Sequence, residues 1–62
     1  MIWLSEILIE EYQLASFNDL QAAVQQRAKS GERFFGIDIK PQFADTPANW
    51  EAQLESIFTA RL

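Results

Sequence analysis

Two stretches of the chain place apolar residues at the three- and four-residue spacing of a helix face. The first predicts a helix over residues 16–29. Ser16 is a suitable N-cap, Asp19 three residues later completes a shortened capping box, and Gly31 supplies the left-handed residue that ends the helix. The predicted buried face consists of Phe17, Leu20, Ala23, Val24 and Ala28.

The second stretch predicts a helix over residues 47–60. Thr46 suits the N-cap, and Pro47 suits the first helical position because its missing N–H would have no partner there anyway. Glu51 and Glu55 lie next to each other on the polar face. The opposite stripe runs through Trp50, Leu54, Ile57, Phe58 and Arg61.

Between these helices the pattern changes to a period of two, which predicts a half-buried strand over residues 32–40. Pro41 ends the strand because proline cannot donate to a central ladder, and Phe43 in the following loop is expected to fill the core. One side of the strand carries Phe35, Ile37 and Ile39, and the other carries Phe34, Gly36, Asp38 and Lys40.

The first fifteen residues fit either a strand over 7–14 or a helix with a stripe of Leu4, Ile7, Leu8, Glu11 and Tyr12. The strand at 35–39 needs a partner, because a lone strand leaves its backbone groups unpaired. We therefore predict a small α/β (α+β) domain in the order strand–helix–strand–helix. A right-handed crossover makes its strands parallel, and a second copy completes the sheet. The alternative order is helix–helix–strand–helix.

Length and composition predict one compact domain over residues 1–62 that forms contacts with another protein chain. A chain of 62 residues is marginally stable alone, and it has no cysteine for a disulfide. Hydrophobic residues make up 48% of it, including two tryptophans, one tyrosine and five phenylalanines. Apolar surface that one chain cannot bury marks a contact site, so we expect a homo-oligomer or a protein partner.

The net charge of −4 disfavours direct binding to DNA or RNA, which requires clustered cations. No apolar run approaches the roughly 20 residues of a membrane span, and the start lacks the positively charged region of a secretory signal. A chain without cysteine is compatible with a reducing compartment. These features predict a cytoplasmic protein with no direct membrane contact.

The residue inventory predicts no catalytic residues, no metal site and no cofactor. Histidine and cysteine, which do most acid–base and nucleophilic work near neutral pH, are absent. Glu10 and Glu11 would point to opposite sides of a strand. Glu51 and Glu55 lack the further oxygen ligands that Ca²⁺ or Mg²⁺ requires. We therefore expect a protein that is not an enzyme.

The function these features favour is a small acidic non-catalytic protein–protein interaction module, acting as a regulatory or assembly subunit. Trp3 lies at the extreme N-terminus, and tryptophan is enriched in interaction hot spots. Asp38 interrupts an apolar strand beside the flat surface that Gly36 leaves, which makes it a candidate partner-facing carboxylate.

The alternative function is a phage or mobile-element inhibitor that occupies the basic nucleic-acid-binding groove of a host protein, as anti-CRISPR DNA mimics do. This hypothesis requires carboxylates lined up on one side of the molecule, where they steer association with a cationic cleft. The carboxylates concerned are Glu6, Glu10, Glu51 and Glu55.

Overall fold

The computed structural model describes residues 1–60, which form three helices and two short parallel strands. Ile2 lies opposite Phe35, and Trp3 lies opposite Gly36. The predicted mixed α/β class is confirmed. Arg61, which the sequence placed on the apolar stripe of the last helix, lies outside the described residues. The element order is β1 (Ile2–Trp3), α1 (Leu4–Glu10), α2 (Phe17–Lys29), β2 (Phe35–Gly36) and α3 (Trp50–Thr59).

The predicted strand over 7–14 is wrong, because α1 covers Leu4–Glu10 instead. Leu4 and Ile7 are fully buried while Ile9 is 76% exposed, as on a helix with one face in the core. The parallel partner that β2 requires is β1, which directly precedes α1 and is too short to show a period of two. Apart from β1, the order follows the alternative helix–helix–strand–helix.

The helix α2 closely matches its prediction. The Ser16 hydroxyl oxygen accepts a hydrogen bond from the Asp19 N–H at 3.1 Å, and Gly31 has the positive φ of 106° that glycine adopts without strain. The Asp19 carboxylate, however, accepts from the N–H of Ala15 at 3.1 Å and not from that of Ser16. All five predicted face residues of this helix are buried.

The predicted start of α3 is wrong, since the helix begins at Trp50 and not at Pro47. Thr46 does not cap it. Its hydroxyl oxygen accepts from the N–H of Phe43 at 3.2 Å, and its own N–H donates to the Phe43 carbonyl at 3.1 Å. The two bonds close a tight turn before the helix. Asn49 occupies the N-cap position without a side-chain capping bond.

The strand predicted over 32–40 is reduced to Phe35–Gly36, because β1 offers only two residues to pair with. Phe35 stacks on Phe58, with ring centroids 5.2 Å apart. The alternation fails at Ile39, which is 49% exposed although the pattern placed it inward. Phe43 is half-buried against the core, as predicted.

The core lies between the inner face of the sheet and the three helices. Among residues 1–60, no polar or charged residue is buried, so any chemistry of recognition lies on the surface. No helix in this part of the chain has the length and apolar character needed to cross a membrane. The buried apolar residues of this core are Ile2, Leu4, Ile7, Phe17, Leu20, Ala23, Val24, Ala28, Leu54 and Phe58.

Candidate interaction surface

The sheet has one apolar face packed on the core and a second apolar face turned to solvent. Successive side chains of a strand point to opposite sides, so Ile2 and Phe35, which face inward, place Trp3 and Gly36 outward. The residues before them, Met1 and Phe34, lie outward by the same alternation. The Ile2 N–H donates to the Phe34 carbonyl at 2.9 Å, which keeps Phe34 in register. We call Met1, Trp3, Phe34 and Gly36 the outer sheet face.

The outer sheet face carries three large apolar side chains that are partly or mostly exposed to water. Met1 and Phe34 are each 65% exposed and Trp3 is 41% exposed, whereas Ile2 on the inner side is 4% exposed. Single exposed apolar residues are common, and a group of them on one face is a candidate interaction surface.

The ring of Trp3 lies close against Gly36, in the space that a side chain at position 36 would need. A Cβ atom at position 36 would lie 2.4 Å from both Cε3 and Cζ3 of the Trp3 ring. Glycine is therefore required here for space and not for an unusual backbone conformation. The result is an aromatic platform held against the backbone of β2, with Phe34 two positions before Gly36 on the same face.

One end of the outer sheet face meets the N-terminus of α1, where Asp38 is bonded to Ser5. The Ser5 hydroxyl donates to Oδ2 of Asp38 at 2.6 Å, and the Ser5 N–H donates to Oδ1 at 3.1 Å. The hydroxyl bond is the main cause that lowers the pKa of Asp38. Asp38 is therefore an exposed, ionised carboxylate that also holds the start of a helix.

Further charged groups border the same face. Glu6 accepts from the Trp3 N–H at 3.3 Å, and Oε2 of Glu32 lies 4.0 Å from the Met1 amino nitrogen. Glu55 of α3 lines a shallow groove with Phe34 and Arg33. Together with Asp38, four carboxylates therefore lie at the border of the outer sheet face, against the guanidinium of Arg33 and the Met1 amino group.

Glu10 lies elsewhere, in an ion-pair cluster at the C-terminal end of α1. Nη1 of Arg27 is 2.7 Å from Oε1 of Glu10, and Nη2 is 3.6 Å from Oε2 of Glu11. The hydrogen bond with Glu10 is the main cause that raises the pKa of Arg27. The expectation that Glu10 and Glu11 point apart is wrong, because both approach one guanidinium.

The sequence predicted six partner-binding residues, and the structure brings four of them together at the outer sheet face or its border. Trp3 belongs to the outer sheet face, and Glu6, Asp38 and Glu55 border it. Glu10 does not, and Glu51 lies on the exposed side of α3 without an ion pair to any of residues 1–60. Sequence reasoning missed Phe34. Its signal was a large apolar side chain on the polar side of the alternating pattern.

Fold and surface together define a small mixed α/β protein with an exposed aromatic sheet face. Comparison of the chain with protein-family models, with curated proteins and with solved structures finds no match in any of the three. Its function is therefore argued from the geometry and chemistry of this surface.

Proposed function

We propose that this chain is a non-catalytic protein–protein interaction module, acting as a regulatory or assembly subunit through its outer sheet face. The observation that carries the proposal is the exposure of Phe34 and Met1 beside the half-exposed ring of Trp3. Covering apolar surface releases about 25 cal/mol per Å². Aromatic side chains are also the commonest anchors of protein interfaces.

The platform is suited to binding because it is held in place before a partner arrives. Trp3 is fixed by the backbone pairing of β1 with β2 and by the close approach of its ring to Gly36. A side chain that is already ordered loses less conformational entropy on binding.

The ionisable groups support a binding role over catalysis. The lowered pKa of Asp38 and Asp45 arises from bonds that each carboxylate accepts at a helix start. The raised pKa of Arg27 arises from an ion pair between two helices. These shifts accompany contacts that stabilise the fold, and the chain has no histidine or cysteine. A chain without cysteine also suits the reducing cytoplasm, where we propose that it acts.

The acidic-inhibitor hypothesis has weaker support. It requires Glu6, Glu10, Glu51 and Glu55 to present charge together, and Glu10 is already paired with Arg27 at 2.7 Å. An apolar platform is also not a feature that mimics a phosphate backbone. The apolar face is therefore the stronger basis for a function.

The proposal is tested with Phe34→Ser, which removes exposed apolar surface from the outer sheet face. The matched control is Ile9→Ser, because Ile9 is 76% exposed on α1 and contributes nothing to this face. A random peptide library displayed on phage is selected on the immobilised chain. We expect the selected peptides to bind the Ile9→Ser variant normally and to lose at least about tenfold in affinity for Phe34→Ser.

Circular dichroism and the urea midpoint confirm that both variants fold. Sedimentation equilibrium of the three proteins detects self-association through the same face. If Phe34→Ser weakens neither peptide binding nor self-association, the outer sheet face is not a contact surface and the proposal is wrong.

A further inference from the structure

We infer that the partner of the outer sheet face is a short apolar segment of another protein, flanked by lysine or arginine, and not a second copy of this chain. The inference rests on the proposed function and specifies the chemistry of its partner. Two properties of the face carry it, namely the charge at its border and its area.

The border of the face is negative. Glu6, Glu32, Asp38 and Glu55 are four carboxylates, and the cations beside them are Arg33 and the Met1 amino group, with Lys40 two residues beyond Asp38. Even with Lys40 included, the carboxylates outnumber the cations. The whole chain has a net charge of −4. A partner that brings cations to this border gains favourable electrostatic energy and associates faster.

A second copy would meet the same border with like charges. Most dimers of identical chains have twofold symmetry, so that the same patch of both chains forms the interface. Two such patches, each with more carboxylates than cations, would face each other. Like-charge contacts of this kind disfavour association, and this opposes a twofold dimer through the outer sheet face.

The apolar area is also too small for a stable dimer. Trp3 is 41% exposed, and Phe34 and Met1 are each 65% exposed. Aromatic side chains present about 150–250 Å², so the three residues together offer about 300 Å² of apolar surface. Stable interfaces cover about 800 Å² on each partner, of which somewhat more than half, about 450 Å², is apolar. A face of this size fits a few apolar side chains of a short segment.

The chemistry of such a segment matches each part of the face. Its apolar side chains cover Trp3 and Phe34, and the aliphatic stems of lysine or arginine extend over the edge of the platform. Their charged ends then reach Asp38 and Glu6 at one end and Glu55 at the groove beside Phe34. Exposed ion pairs add modest affinity, so the apolar contact provides most of the binding energy.

The test uses two synthetic peptides with the same short alternating leucine–serine core. One is flanked by two lysines at each end and the other by two glutamates. Binding is followed by the fluorescence of Trp3 in a Trp50→Phe background, which removes the signal of the second tryptophan. At low salt we expect the lysine peptide to bind at least about tenfold more tightly. In about 0.5 M NaCl this difference should largely disappear, because salt screens exposed charges.

Two variants locate the effect. Glu55→Gln should reduce the preference for the lysine peptide, whereas Glu10→Gln, with the same change in charge, should not, because Glu10 lies in the Arg27 cluster. Phe34→Ser should abolish binding of the lysine peptide, and Ile9→Ser should leave it intact.

The possible failures are distinguishable. Equal or tighter binding of the glutamate peptide would overturn the charge argument and leave the proposed function standing. A stable dimer that Phe34→Ser dissociates would show that the partner is a second copy of this chain. The inference would then be wrong, while the proposed function would still stand. If neither peptide binds, no dimer forms and no displayed peptide depends on Phe34, the proposed function is wrong as well.

Discussion

At the scale of single residues, the contact between Trp3 and Gly36 determines the shape of the outer sheet face. The ring of Trp3 covers the space that a side chain at position 36 would occupy. The sequence indicated the flat surface at Gly36 and a contact role for Trp3, but not that the two residues meet. They are 33 positions apart, and only the parallel register of β1 and β2 joins them.

Gly36→Ala should therefore destabilise the fold. The new methyl group would lie 2.4 Å from two atoms of the Trp3 ring, so the ring must move outward or the strands must separate. Overpacking of this kind costs about 1–3 kcal/mol. The measurement is the free energy of unfolding in urea, compared with that of the wild type.

A double-mutant cycle assigns this cost to the tryptophan. In a Trp3→Ala background, Gly36→Ala has no ring to displace and should cost much less. An equal cost in both backgrounds would mean that the glycine is needed for another reason.

At the scale of elements, carboxylates from distant parts of the chain cap the first two helices. Asp38 accepts from the N–H of Ser5 in the first turn of α1. Asp45 accepts from the N–H groups of Phe17 and Asn18, at 2.7 and 3.3 Å, at the start of α2. The first N–H groups of a helix have no partner within it, and negative charge there also complements the helix dipole.

These caps explain why the sequence predicted the start of α2 correctly but did not reveal the carboxylates that cap α1 and α2. Ser16 caps its own helix and was recognised, because a local cap lies within three residues of its partner. Asp45 directly precedes Thr46, the predicted start of the third helix, but its carboxylate bonds to α2, 28 residues earlier. A hydrogen bond between residues so far apart in the sequence leaves no local sequence pattern from which it could be predicted.

Stability should fall in acid because of these two caps. The pKa of Asp45 is lowered, mainly by the bond from the Phe17 N–H, and that of Asp38 is lowered by Ser5. A lowered pKa in the folded state stabilises the protein fully above the ordinary aspartate value of 3.8. This stabilisation is lost as the pH falls through the lower folded values.

The Asp38→Asn/Asp45→Asn variant should be less stable than the wild type near neutral pH, with a smaller further loss in acid. The measurement is the urea midpoint as a function of pH from about 6 down to about 2. Glu51→Gln is the control, since it removes one charge from an exposed site without an ion pair to residues 1–60. If the double variant and the control lose the same stability in acid, the caps do not cause the loss.

The Arg27 cluster joins α1 to α2 and should contribute modestly. The side chain of Arg27 is 24% exposed, and those of its partners Glu10 and Glu11 are 57% and 44% exposed, so water screens the ion pairs. Arg27→Gln should therefore reduce the free energy of unfolding by up to about 1 kcal/mol. Arg27→Lys keeps the positive charge but loses the planar guanidinium group. Its free energy of unfolding should lie between those of the wild type and Arg27→Gln. Equal stability of all three proteins in urea would show that the cluster adds nothing.

At the scale of the whole molecule, stability depends on a small core to which α2 contributes half of the ten buried apolar residues. Leu20 is fully buried among them. Leu20→Ala should cost about 2–5 kcal/mol, which is a large part of the stability that a chain of this size has.

The control for this change is Ile9→Ala, which removes the same number of carbon atoms from an exposed position on α1. Thermal and urea unfolding should show almost no loss for Ile9→Ala and a partly unfolded Leu20→Ala variant at room temperature. Similar losses for the two would mean that α2 is not the centre of the core.

The sequence predicted those parts of the fold that local patterns determine. The mixed class, the span of α2, the body of α3 and the need for a parallel strand pair followed from periodicity and from the pairing of backbone groups. The position of β1 did not follow, because two residues carry no period. Part of the candidate site was predicted through Trp3, Glu6, Asp38 and Glu55. Phe34 was missed because its exposure depends on which side of the strand the core covers.

The distant caps have a consequence for how the protein is made. A ribosome synthesises α1 and α2 before it reaches Asp38 and Asp45, so neither helix has these bonds while it emerges. At 7 and 13 residues, both are too short to persist alone in water. We therefore expect the nascent polypeptide to remain largely unstructured until its later half is available.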